Sequence, residues 1–273
     1  MSSVVTELCS RCSSKSCIHK DDGSISVRSI EIFKEYLAFY RGKLPEDRNV
    51  ISIVEDCTNI AVNASRNKYG VNPTKDSLKN CRGRWFELVF CSVIAELRDD
   101  LIKTRRVLVP LPVARLETME WWHLLNVEER KRVSGLKTFS SNPDMVCVEV
   151  HENLLGQVIE TIDPIQLWSG KTWNRLEGKL SLANVKAFAS LKTSMRPDRR
   201  YLSLFEAVTV KAVASYFGVE IKYYVVCPKF TPADLKVFKA KTLHDQFSSE
   251  AVDRLFTFNK VGDLYSIVRE IAA

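Results

Sequence analysis

Three short runs rich in β-branched and aromatic residues punctuate the second half of this chain: Asp144–Val150 (DMVCVEV), Asn184–Leu191 (NVKAFASL) and Glu220–Val226 (EIKYYVV). Their alternation and composition make each an extended strand, and Pro228 closes the third. Residues 201–217, YLSLFEAVTVKAVASYF, separate the second from the third and read as a helix. Strands interleaved with helices give an α/β fold, a mixed sheet flanked by helices. The N-terminal third has a different texture. Residues 1–25 are polar and rich in Ser and Cys and are expected to be a tail. VRSIEIFKEYLAFY, from Val27 to Tyr40, places Ile30, Phe33, Tyr36 and Leu37 at helical spacing, and residues 47–66 read as a second helix before Asn72-Pro73-Thr74 breaks the chain. The expected organisation is a tail over 1–25, a helical subdomain over 26–75 and one larger domain over 76–273.

Within that larger domain, residues 82–103 are the longest apolar helix candidate, with Trp85, Leu88, Val89, Ser92, Val93 and Leu97 on one face. Residues 106–115, RVLVPLPVAR, are extended because two prolines exclude a helix. Helices are expected again over 117–134, around Trp121 and Trp122, and over 245–256 and 262–271.

A chain of 273 residues is long enough for a substantial core. Its formal charge of +7 permits a nucleic-acid partner without requiring one. No apolar run approaches the roughly 18–20 residues that span a bilayer, and MSSVVTELCSRCSSKSC lacks the apolar core of a secretory signal. A cytoplasmic protein with reduced cysteines is expected. Cys9, Cys12, Cys17 and His19 are soft ligands that zinc could use. One residue between Cys17 and His19 is an unusual spacing for a zinc pair, and a tail with scattered thiols accounts for them as well.

Phosphodiester hydrolysis needs charge neutralisation by metal ions, an activated water and a cation close to the attacked phosphate. Two carboxylates and a lysine on adjacent strands would supply these. Pro143-Asp144 leads into the first strand, and the second ends Ser190-Leu191-Lys192. Strand alternation puts Ser190 and Lys192 on one side and Leu191 on the other, toward the core. A second carboxylate two positions before the lysine is missing, since Ser190 stands there. Glu206, on the helix that follows, offers a replacement if that helix packs back over the strands.

Pro143-Asp144, Ser190-x-Lys192 and Glu206 together resemble the variant PD-(D/E)XK motif of the type II restriction endonucleases that recognise CCGG or CCNGG, in which the second acid moves to a glutamate on the next helix. The run Lys192-Thr193-Ser194-Met195-Arg196-Pro197-Asp198-Arg199-Arg200 resembles the CCGG branch of that group. The likeness covers roughly 135–215. It implies that 76–273 is the restriction-endonuclease-like catalytic and DNA-reading domain, a magnesium-dependent nuclease. Asp144 and Glu206 would be magnesium ligands with the backbone carbonyl of Leu191, and Lys192 would act on the attacking water and the scissile phosphate. A further helix glutamate of the family falls at Glu87, with Glu96 as its competitor.

Arginine forks match guanine O6 and N7, and a carboxylate accepts from cytosine N4. Arg196, Asp198 and Arg199 form a compact reader of this kind, stiffened by Pro197. The competing account is a salt-bridge network at a helix start with Asp198 as its cap. Three arginines beside a helix N-terminus oppose the helix dipole and weigh against it. Arg200 is expected on phosphate or packed at the helix start, and Arg82, Arg84 and Lys186 are candidates for phosphate contacts. A palindromic double-stranded DNA site implies a homodimer; the family also contains tetramers. It implies 5′ overhangs and a cognate methyltransferase acting on the same site. A repair or junction-resolving PD-(D/E)XK enzyme lacks such a reader, and a catalytically dead DNA-binding protein would have lost an acid or the lysine. The histidines at 19, 123, 151 and 244 form no local motif.

Overall fold

The structure is a computed structural model that describes residues 5–6, 8, 16–111, 120–136, 143–239 and 250–273. Cys9, Cys12, Ser141, Asn142 and His244 lie outside the described residues. The chain divides into two compact units, residues 1–92 with 259–264, and residues 93–258 with 265–273.

The first unit opens with β1 (Cys17–His19) paired antiparallel to β2 (Ile25–Val27). This part of the expected tail is therefore a hairpin. The polar KDDGS run forms its turn, with Gly23 at φ 78°, and Cys17, Ile25 and Val27 are buried. Three helices follow: α1 (Ser29–Phe39), α2 (Val50–Tyr69) and α3 (Lys75–Glu96). Asn49 caps α2 by accepting from the Ser52 amide, and Gly70 ends it in the left-handed region at φ 74°. Inside the unit, the Trp85 indole donates to the Ser29 carbonyl at 2.9 Å, and Tyr36 and Arg48 both donate to Asp56. The units part between Ser92 and Val93, within α3, whereas the sequence suggests a boundary near residue 75. The apolar face of α3 is continuous across that point, so composition gives no sign of it.

The second unit carries a five-stranded sheet in the order β3-β4-β5-β6-β7. Its strands are β3 (Arg106–Pro110), β4 (Met145–Glu149), β5 (Val185–Leu191), β6 (Lys222–Val226) and β7 (Arg254–Phe256). β3 to β5 pair antiparallel and β5 to β7 parallel, which makes the sheet mixed. Helices flank it: α4 (Arg98–Thr104), α5 (Val127–Gly135), α6 (Glu152–Ile159), α7 (Pro164–Trp168), α8 (Lys171–Leu176), α9 (Pro197–Tyr216), α10 (Pro232–Phe238) and α11 (Val261–Ile271), whose last turns belong to this unit. α9 is the crossover that parallel pairing of β5 with β6 requires. The helix expected over 82–103 starts earlier and breaks at Leu97. The one expected over 117–134 is, where described, a 3-10 turn over Trp121–Leu124 and then α5, capped by Asn126. Residues 254–256, expected to be helical, add β7 to the edge of the sheet. Three residues are too few for alternation to register in the sequence, and a ready-made edge beside them decides the conformation.

Candidate active site

The strand directions bring the chemistry together. β4 runs antiparallel to β5, so the residue before β4 lies beside the end of β5: Met145 pairs with Ala189. β6 runs parallel to β5 and ends beside it, Leu191 opposite Val226. Asp144, Ser190 to Lys192 and the start of α9 therefore sit at one end of the sheet, outside the carboxyl ends of β5 and β6.

Asp144 collects three donors on one oxygen. Its Oδ2 accepts from the Lys192 ammonium at 2.8 Å, the Leu191 amide at 2.6 Å and the Ser190 hydroxyl at 3.3 Å. Amide and carbonyl of one strand residue point the same way, so the Leu191 carbonyl also faces the β4 side, while the Lys192 amide turns to Val226 of β6. The Ser190 hydroxyl lies 3.4 Å from that of Ser203, on the first half of α9, and both serines are buried. One turn further along α9, Glu206 is only 2% exposed. Its Oε2 accepts from the hydroxyl of Tyr223, on β6. The Ser190 hydroxyl also acts on the Tyr223 hydroxyl, lowering its pKa, which links the Asp144 and Glu206 ends of the cluster.

The electrostatics follow. Burial pulls the Lys192 ammonium toward neutrality, but the carboxylates of Asp144 and Glu206 outweigh it and raise its pKa above the ordinary lysine value. Lys192 is therefore cationic at neutral pH. Burial, and next the Glu206 carboxylate, drive the Tyr223 hydroxyl well above the ordinary tyrosine range, so it remains a donor.

Two carboxylates and a carbonyl are hard oxygen donors. Asp144 has all three of these bonds on Oδ2, with Oδ1 outside them. Such a set fits magnesium, which keeps several waters and takes one or two carboxylates. Among the described residues no cluster of three or more His, Cys, Asp or Glu side chains stands ready to hold an ion. Glu87 is half-buried on the α3 portion that belongs to the first unit. Its competitor Glu96 accepts from the Tyr265 hydroxyl within the second unit.

The turn after Lys192 carries the expected base reader. Arg196 is the N-cap of α9 and donates to Asp198 at 2.9 Å, with both side chains mostly exposed. Asp198 makes no capping bond, so the capping role considered for it does not hold. Arg199 folds back, reaching Thr193 Oγ1 at 3.4 Å and the Ser194 carbonyl at 3.3 Å, which ties the reader to the residues next to Lys192. Arg200 is not at the surface for phosphate. It pairs at 2.6 Å with Asp234, which is completely buried on α10 and also caps that helix with Thr231. Lys186 stands at the far end of β5, paired with Glu149 at 3.0 Å, away from the Asp144 cluster. His151 likewise follows the far end of β4 and meets Asn184.

Tyr223, Ser203 and Asp234 are absent from the sequence reading. The T-P-x-D pattern at 231–234 signals a capping box, which marks Asp234 as a structural acid but not as the partner of Arg200. Tyr223 and Ser203 gave no local signal, because their roles depend on which strand lies beside β5.

A family model described as Cfr10I/Bse634I restriction endonuclease matches residues 16–273. The type II restriction enzyme Cfr10I of Citrobacter freundii is 21% identical over 279 residues, covering 90% of this chain and 94% of that one. Two solved structures share the fold. The Bse634I restriction endonuclease superposes with a TM-score of 0.76 at 20% identity, over 95% of this chain and 98% of the other. A crystal structure of the type IIF enzyme Bse634I with cognate DNA gives 0.74 at 20% identity, over 94% and 98%. No helix among the described residues is long and apolar enough to cross a membrane. The match over nearly the whole chain places this protein in the Cfr10I/Bse634I family of type II restriction endonucleases, site-specific deoxyribonucleases that act on DNA.

Proposed function

We propose that the chain is a magnesium-dependent endonuclease that cuts double-stranded DNA at a palindrome containing CCGG and leaves 5′ overhangs. The observation that carries this reading is the meeting of Asp144, Lys192 and Glu206 at one end of the sheet, a few residues before the Arg196–Asp198–Arg199 turn. Family membership implies a divalent metal, and the oxygen donors of Asp144, Glu206 and the Leu191 carbonyl suit magnesium. The ion, when bound, neutralises charge on the phosphate and lowers the pKa of a water. Lys192 stays protonated, so it serves as a cation that positions the water and balances charge at the scissile phosphate. Ser190 donates to Asp144 and Tyr223 to Glu206, which fixes the orientation of the two carboxylates. Glu87 joins the proposal as a further acid through the family resemblance alone.

Digestion of a mapped plasmid with magnesium, followed by sequencing of the ends, tests the reading. Discrete cuts at CCGG-containing palindromes are the expected result. Cuts at CCNGG would move the chain to the other branch, and random nicking would favour a structure-directed repair nuclease. A host carrying such an activity needs a methyltransferase for the same site, which places both enzymes with the chromosome in a prokaryotic cytoplasm.

Arg199→Ala is expected to cost about 1–3 kcal/mol in binding and to relax discrimination at one G·C pair. Competition binding with duplexes altered at single positions reads this out. An equal loss on every sequence would reassign Arg199 to phosphate.

A further inference from the structure

Tyr223 is completely buried on β6, where it pairs with Phe188 of β5. Its backbone is held by a single acid. The Tyr223 amide donates to the Asp253 carboxylate at 2.6 Å, and its carbonyl accepts from the Asp253 amide at 2.9 Å. The same carboxylate takes the Lys211 ammonium at 2.7 Å. Lys211 lies on α9, five residues after Glu206, so Asp253 fastens the helix that carries Glu206 to the strand that carries Tyr223. At the other end of the side chain the hydroxyl donates to Glu206 Oε2. A buried ring in a close-packed interior, anchored at its backbone and at its hydroxyl, has no room to swing away and release that oxygen. Asp144 is restricted by other means, with three donors gathered on Oδ2. Each of the two carboxylates thus has one oxygen committed to the protein and can present at most one other to an ion.

We propose that Tyr223 is a positioning residue that sets the metal preference of this site: by occupying one oxygen of Glu206 it limits that carboxylate to single-oxygen ligation, which favours magnesium over calcium. This rests on the reading of Asp144 and Glu206 as metal ligands. Calcium takes about six to eight oxygens and accepts carboxylates through both of their atoms, whereas magnesium keeps a tight octahedron with several waters and needs only one or two carboxylates. Selectivity between the two ions follows from the number and flexibility of the ligands. Two acids that each offer one oxygen from a fixed position supply few ligands and little freedom, which suits the smaller ion. A tyrosine present only to satisfy a buried carboxylate would change the binding of both ions in proportion.

The test is Tyr223→Phe, which keeps the ring and removes the donor. Manganese bound to the protein is counted by electron paramagnetic resonance, and magnesium or calcium is titrated in to displace it. In the variant the ratio of calcium to magnesium affinity should rise by about fivefold or more, the scale of one hydrogen bond. The calcium concentration that halves magnesium-supported single-turnover cleavage should fall by the same factor. In a Glu206→Ala background, Tyr223→Phe should leave the ratio where it was, because the tyrosine acts through that carboxylate. Glu206→Asp draws the carboxylate back from the hydroxyl and should shift the ratio in the same direction; it decides the matter alone if Tyr223→Phe does not fold. A ratio in Tyr223→Phe that stays within about fivefold of the parent's overturns the inference. So does a shift that persists without Glu206. If Glu206→Ala weakens metal binding while the ratio in Tyr223→Phe is unmoved, the metal-ligand reading stands and only the selectivity role falls. If Glu206→Ala leaves metal binding unchanged, or the parent retains no manganese, the ligand reading falls and the selectivity role with it.

Discussion

Lys192→Ala is expected to slow single-turnover cleavage roughly a thousandfold, about 4 kcal/mol of transition-state stabilisation. Binding to the same duplex should change by no more than a few-fold. The separation of the two effects follows from geometry. Lys192 is largely buried against Asp144 at 2.8 Å, and its charge is sustained by both carboxylates. The side chains proposed to read bases, Arg196 and Asp198, face outward beyond it. Asp144→Ala should give a loss of the same order, because it removes a proposed ligand and frees the Lys192, Leu191 and Ser190 donors at once. Rapid-quench cleavage of an end-labelled duplex, paired with fluorescence anisotropy in calcium, measures both quantities. Full activity in either variant would remove the catalytic assignment. The raised lysine pKa adds a sign. The ammonium is present at every pH below its folded value, so the cleavage rate should show no decline from lysine deprotonation between neutrality and the ordinary lysine range.

The largest effect on stability is expected at Asp234. Asp234→Ala should destabilise the protein by about 3–5 kcal/mol, because it leaves the Arg200 guanidinium buried without its counter-charge. It also strips the carboxylate from the Thr231 amide and hydroxyl, which donate to it at 2.6 and 2.7 Å. For a chain of this size the unfolding midpoint should drop by roughly 10 °C. Burial pushes the Asp234 carboxyl upward, but the Thr231 bonds and the Arg200 guanidinium outweigh it and hold the pKa below the ordinary aspartate range. A depressed pKa means that this stabilisation is present above the unfolded-state value, about 3.9, and is lost as pH falls through the folded value. The gap between parent and variant should therefore be widest near neutrality and shrink below about pH 4. Urea unfolding at neutral and acidic pH measures it, and a difference under 1 kcal/mol at neutral pH would contradict the account. Arg200 belongs to the same short run as the proposed reader, so its anchor on α10 sets the angle at which the first turn of α9 leaves the sheet.

Much of the centre could be read from order along the chain, because strands and helices write their period locally. Pro143-Asp144 before an alternating run, the Ser190-Leu191-Lys192 strand end and a helix carrying Glu206 are all visible in this way. The short helices over 152–176 escaped notice, being too brief to show a 3.6-residue period. The β1–β2 hairpin and β7 escaped for a related reason: three-residue strands exist because a partner strand satisfies them.

Residue types and their spacing by themselves settled that this chain makes a helix-flanked sheet, and named two acids and a lysine suited to phosphodiester chemistry. Only the tertiary structure decided that they meet, since that depends on β4 running against β5 and β6 running with it. The same packing chose Tyr223 to hold Glu206 and turned Arg200 inward to Asp234. Hydrogen bonds between residues far apart in sequence leave no periodic trace in it, and burial alone determines whether an arginine faces solvent or a carboxylate.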